Sequence, residues 1–263
     1  MPTSDTAQTD WGAVDFSALR DTRWALLACD VFAEELEDFL KIHPHPPVHR
    51  ETFDVGLHMV PDDMRQNLQA RIFHIEETYR PDVILLLFGL CGNAAVGLHA
   101  HCAKLVIPRT HECIAMFLGS TEQYLQLKKE KPCLYFCSPG WNKSELLPGQ
   151  ALYDKERKKY EQRYPDDPDM VDELMEAFLE QYKSYNGYLY ADFGSQRTVG
   201  HMESSRQKAK EMNWTFETMR GNPAYFAAAL SGQWDEKRFL TLSPNEKIAP
   251  CWSGNILKKE GKE

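Results

Sequence analysis

Short, dense apolar runs alternate along this chain with longer stretches whose apolar residues recur every three or four positions. Trp24-Ala25-Leu26-Leu27-Ala28, Val83-Ile84-Leu85-Leu86-Leu87-Phe88 and Leu134-Tyr135-Phe136-Cys137 have the length and composition of buried strands. Between them, residues 31–42 set Phe32, Leu36, Phe39 and Leu40 on one helical face, and His43-Pro44-His45-Pro46-Pro47 stops that helix. Pro61 opens a second helix that carries Met64, Leu68, Ile72 and Ile75. Further strands are expected over 51–57, at Val106-Ile107-Pro108, and over 188–193, 214–219 and 239–242. Further helices are expected after Cys113 and over 169–183, 203–212 and 223–230, with a short helical segment at 94–101.

Strand followed by helix, repeated, predicts an α/β fold: a three-layer, mostly parallel sheet with helices on both faces. The charged stretch 141–164 reads as a polar insertion between possible lobes at 22–140 and 165–248. One sheet shared by both lobes and two small α/β lobes facing each other both fit the pattern. Residues 1–21 read as a loosely ordered segment and 249–263 as a solvated tail of mixed charge.

Charge and composition narrow the partners. A net charge of −9, with no Lys/Arg-rich face to oppose it, argues against nucleic acid. The first twenty residues lack an apolar central region, and the longest apolar run is too short for a bilayer, so a cytoplasmic protein without a membrane partner is expected. In that reducing compartment the seven cysteines are not expected to form a disulfide framework. Metal ligation, nucleophilic chemistry and plain burial remain for them.

Three cysteines share one placement. Cys29, Cys91 and Cys113 each follow an apolar run at the C-terminal end of an expected strand, the edge where ligands bind in parallel α/β sheets. His58 follows the second strand, and His111 lies two residues before Cys113. Thiolate and imidazole are the donors that zinc and iron–sulfur clusters prefer, so Cys29, Cys91 and Cys113, with His111 or His58 as a fourth ligand, form the expected metal site. Gly92 and Asn93, at the start of the expected 94–101 helix, offer amides to an anion. Arg109 can add a bidentate contact to a small anionic substrate, and Glu112 an acid/base group. Ser138-Pro139-Gly140-Trp141 forms a turn at the same edge, with Trp141 either packed on the core or covering the pocket.

Two readings compete with the metal. Cys91 at a sharp strand-to-helix turn outlines a nucleophile elbow, with His111 or His58 as base and Glu112 or Asp30 orienting it. A non-catalytic binding protein is the other. Cys102, Cys133, Cys137 and Cys251 read as structural; Cys133 and Cys137 would lie roughly 13 Å apart along a strand, too far to share an ion. No dinucleotide or P-loop glycine pattern occurs.

Several ordered stretches resemble one family. They are Ala28-Cys29-Asp30, Leu57-His58-Met59-Val60-Pro61 with Met64-Arg65, Phe88-Gly89-Leu90-Cys91-Gly92-Asn93, and Ile107-Pro108-Arg109-Thr110-His111-Glu112-Cys113-Ile114. Phe117-Leu118-Gly119-Ser120, Ser138-Pro139-Gly140-Trp141, Trp214-Thr215-Phe216-Glu217 and Gly232-Gln233-Trp234-Asp235 continue it. Together they are similar to the family catalogued as domain of unknown function 1638. Asp30 stands where that family usually has Glu, and Glu112 where it usually has Asp. The resemblance carries no assigned activity. It implies a setting in one-carbon or methylamine metabolism, with a corrinoid methyltransferase system as a candidate partner, and adds weight to Cys29, Cys91 and Cys113 as site residues. The choice among zinc, an iron–sulfur cluster and no cofactor rests on the donor chemistry alone.

Overall fold

The computed structural model describes residues 14–144, 146–251 and 254–261, with the side chains of His58, Met59 and Gln196 outside the described set. The chain runs β1 (Trp24–Cys29), α1 (Ala33–Ile42), β2 (His49–Phe53), α2 (Pro61–Tyr79), β3 (Val83–Leu87) and β4 (Lys104–Pro108). Next come α3 (Ile114–Leu118), α4 (Thr121–Glu130), β5 (Leu134–Cys137), α5 (Pro139–Lys143), α6 (Gln150–Arg163) and α7 (Pro168–Glu180). The last elements are β6 (Gly187–Asp192), α8 (Val199–Glu211), β7 (Thr215–Arg220), α9 (Ala224–Ser231), β8 (Phe239–Leu242), β9 (Ile248–Cys251) and β10 (Ile256–Lys259).

The fold is mixed α/β around a mostly parallel five-stranded sheet of order β2-β1-β3-β4-β8, in which only β8 is antiparallel. All residues of β1 and β3 are buried, which is why both are continuous apolar runs without alternation. The strands form separate sheets that do not follow the expected lobes: β5, from 22–140, joins β6 and β7 in a second, wholly parallel sheet, whereas β8, from 165–248, pairs with β4 in the large one. Apolar packing connects the two. Phe32 stacks on Phe117 at 5.1 Å, Phe117 on Phe193 at 5.2 Å, and Phe193 meets Phe226 at 5.5 Å, joining the main core to the end of β6.

Several expectations are corrected. Residues 91–97 form turns instead of a helix, because Cys91, Gly92 and Asn93 all have left-handed backbones (φ 47°, 63° and 72°) that a right-handed helix cannot follow. Strand β2 ends at Phe53, so His58 lies beyond it in the one-turn helix Val55–Met59. The charged 141–164 stretch is largely helical, as α5 and α6. The supposed tail contains the β9–β10 ribbon, with Leu257 fully buried. No helix among the described residues is long and apolar enough to cross a membrane.

Candidate thiol site

Each of the three cysteines is delivered by a different segment. Cys29 is the last residue of β1 and leads directly into the turn Asp30–Phe32. Helix α5 seats on that turn so closely that a Cβ on Gly140 would lie 2.3–2.5 Å from the Val31 backbone. Only glycine allows this approach.

Cys91 lies four residues beyond β3. The segment leading to it pairs with the loop after β4: the Leu90 amide donates to Thr110 O at 2.8 Å, and the Cys91 amide donates to His111 O at 3.1 Å. A Cβ on Gly89 would fall 2.9 Å from His111 O and 3.0 Å from Glu112 Cα, so this contact also requires glycine. The buried Thr110 hydroxyl donates to Glu112 O at 3.0 Å and fixes the turn that presents Cys113 at the start of α3. Cys91 is a non-glycine residue in the left-handed region, which costs of order 1–2 kcal/mol. Such strain often accompanies a functional position.

The result is a cluster. The Cys113 thiol shares hydrogen bonds with both Cys29 and Cys91. All three are buried, at 1%, 8% and 5% exposure for Cys29, Cys91 and Cys113. Burial pushes the Cys29 thiol well up, and its bond to Cys113 adds to this. For Cys91 the bond to Cys113 is the larger cause of the rise and burial the second. Among the described residues no group of three or more His, Cys, Asp or Glu side chains is already arranged to hold a metal ion. Burial and the contact with Cys113 thus both disfavour charge on Cys29 and Cys91.

The three cysteines line one cavity of about 320 Å³, together with an aromatic wall of Phe136, Tyr135, Tyr185 and Trp141 and with Pro132. It therefore lies between the C-terminal edge of the large sheet and strand β5 of the small one. Trp141 reaches this wall and also packs against the core, with Tyr135 edge-on at 6.5 Å, so both readings of that residue hold in part. Lys128 and Tyr124 on α4 also face the cavity: Lys128 Nζ donates to Tyr124 Oη at 3.0 Å and lies 3.5 Å from Glu112 Oε1. Burial, with the Glu112 charge, pushes Tyr124 up to about 12, while the hydrogen bond to Tyr124 raises Lys128. Cys137 is buried apart from this cavity lining, and burial pushes its thiol up.

The remaining expected site residues go elsewhere or play other parts. His111 lines a separate cavity, together with Arg109. The Arg109 guanidinium donates to the carbonyl oxygens of Glu236, Phe239, Asn255 and Leu257, clamping the β9–β10 ribbon against the large sheet. The side chain of His58 lies outside the described residues. Gly92 lines the thiol cavity, but with no helix after it there is no helix dipole for an anion; the Ala94 amide donates to Cys91 O and Arg65 binds Asn93 O at 3.0 Å. Glu112 faces the cavity, half-exposed. Lys128, Tyr124, Tyr135 and Tyr185 were not expected there. The only sequence signal for the first two is their i,i+4 spacing on one helix.

A family model described as "Protein of unknown function (DUF1638)" matches residues 52–230. The match includes Cys91 and Cys113 and begins after Cys29. No curated protein and no solved structure matches the chain.

Proposed function

The chain belongs to the DUF1638 family, and we propose that it takes up a soft metal ion through Cys29, Cys91 and Cys113, either zinc or an iron of an iron–sulfur cluster. The observation that carries this reading is the convergence of three buried thiols, from three separate strand ends, on one cavity through Cys113. Uptake would replace the thiol protons and draw the sulfurs together, to about 4 Å apart around a zinc with bonds of about 2.3 Å.

Three protein ligands leave one position open, as in catalytic zinc sites and in clusters with a substrate-accessible iron. That position would face the aromatic wall, where a small substrate fits. Lys128 is the cation placed to meet an anionic group on it, because Arg109 is committed to backbone carbonyls. Glu112, beside Lys128, is the group positioned to exchange a proton at the cavity rim.

A metal-free nucleophile at Cys91 is the weaker reading on two counts. No helix follows Cys91 to stabilise a thiolate, and its surroundings raise the thiol instead of lowering it.

Cobalt(II) titration of the reduced, anaerobic protein tests the proposal, since cobalt–thiolate bonds give intense near-ultraviolet absorption. One equivalent should bind, the signal should collapse in Cys29→Ser, Cys91→Ser and Cys113→Ser, and His111→Ala should leave it unchanged. Absence of a thiolate band, or a band that survives Cys113→Ser, would remove the basis for the proposal.

A further inference from the structure

We propose that Cys113 and Cys91 form a site of reversible oxidation by small hydroperoxides, closing to a disulfide while Cys29 stays a thiol. The inference rests on the packing of the thiols and does not depend on the metal reading.

Four observations lead to it. Cys113 hydrogen-bonds to both other thiols, so any pair formed with the least movement includes Cys113. Cys91 and Cys113 both lie in loops after their strands, whereas Cys29 is held in the register of β1 opposite Phe53. The loops bearing Cys91 and Cys113 are joined by the Cys91 amide to His111 O bond, two residues from Cys113. Disulfide geometry needs Cβ atoms about 3.5–4.5 Å apart, a closure that two adjacent loops absorb more readily than a loop and a central strand. Finally, all three cysteines line a cavity large enough to admit a small peroxide.

The chemistry balances with one hydroperoxide. One of the two thiols reacts slowly, through the small thiolate fraction that its buried surroundings allow, and attacks the peroxide oxygen. The O–O bond breaks, giving a sulfenic acid and an alcohol, or water when the oxidant is hydrogen peroxide. The neighbouring sulfur then attacks the sulfenic sulfur, forming the S–S bond and releasing the sulfenic oxygen as water. Two thiols and one hydroperoxide thus become one disulfide, one alcohol and one water. The two sulfurs are oxidised and the two peroxide oxygens reduced. A dithiol reductant reverses it by exchange. Where the metal reading also holds, the same step removes two of three ligands, so oxidation and metal binding exclude each other.

The test uses full-length, reduced, metal-free protein treated with stoichiometric hydrogen peroxide, blocked with N-ethylmaleimide and mapped by peptide mass spectrometry. The expected product is a Cys91–Cys113 linked peptide with Cys29 alkylated, reversed by dithiothreitol. Cys29→Ser should still form it; Cys91→Ser and Cys113→Ser should form no disulfide within the cluster. The wild-type map alone decides the pairing if a variant fails to fold. A Cys29–Cys91 or Cys29–Cys113 product, oxidation confined to the exposed Cys102 and Cys133, or sulfinic acid without a disulfide would each overturn the proposal. Because metal is absent throughout, failure here leaves the metal reading standing or falling on the cobalt titration alone.

Discussion

Replacing Glu35 by Gln should remove a pH-dependent loss of stability from this protein. Glu35, on α1, is 3% exposed, and neither carboxyl oxygen has a hydrogen-bond partner. Burial, with the nearby charges of Asp192, Glu34 and Asp38, pushes its carboxyl from 4.5 up to about 8. Between those values the folded chain keeps a proton that the unfolded chain releases. Stability contributed by this group is therefore fully present below pH 4.5 and falls as pH rises towards 8. At about 1.4 kcal/mol per pH unit the accumulated loss by pH 8 is at most about 5 kcal/mol, a large share of a typical folding free energy. Gln has the same shape and never ionises. Urea unfolding of both proteins, followed by tryptophan fluorescence in reductant, measures the difference. The two should agree within about 1 kcal/mol near pH 5. Near pH 8 the variant midpoint should lie higher by roughly 1 M urea, taking an m-value of about 3 kcal/mol per molar. Titrating groups remote from Glu35 affect both proteins alike, while Asp192, whose charge acts on Glu35, is relieved in the variant and adds to the difference in the same direction. Curves that stay parallel at every pH would show that Glu35 ionises normally and would refute the reasoning.

Two further substitutions test how the site is assembled. Gly89→Ala places a methyl 2.9 Å from His111 O and should cost about 1–3 kcal/mol; it should also suppress the peroxide-induced Cys91–Cys113 disulfide, and an unchanged midpoint and disulfide yield would show that the loops are not so close. Arg109→Lys cannot replace a fork that reaches four carbonyls, so hydrogen exchange in strands β9 and β10 should speed up with a loss of about 2–3 kcal/mol. Unaltered exchange there would return Arg109 to the role of a substrate contact.

What could be read from the chain depended on how local the cause was. Strands β1 and β3 were plain because burial on both faces leaves an unbroken apolar run, and the order of elements then put Cys29, Cys91 and Cys113 at one edge. Residues 94–101 misled because their small and apolar residues suit a helix, while the left-handed turn that forbids one is set by the loop packed against Cys91. His111 and Cys113 are two residues apart yet face different cavities, a consequence of a tight turn that spacing alone does not define. The role of Arg109 depends on Asn255 and Leu257, about 150 residues away, and the burial of Leu257 comes from packing in the main core. Separation into two sheets likewise depends on which strands meet, and the apolar pattern of each strand is the same either way.

Metal uptake by the three thiols is measured most plainly by the metal and inorganic sulfide content of anaerobically purified protein, compared with Cys113→Ser. About one zinc per chain, or iron together with sulfide, is expected in the wild type, and neither in the variant. A metal-free wild type that also fails to take up added zinc or iron, or equal metal in both proteins, would contradict uptake at this cluster.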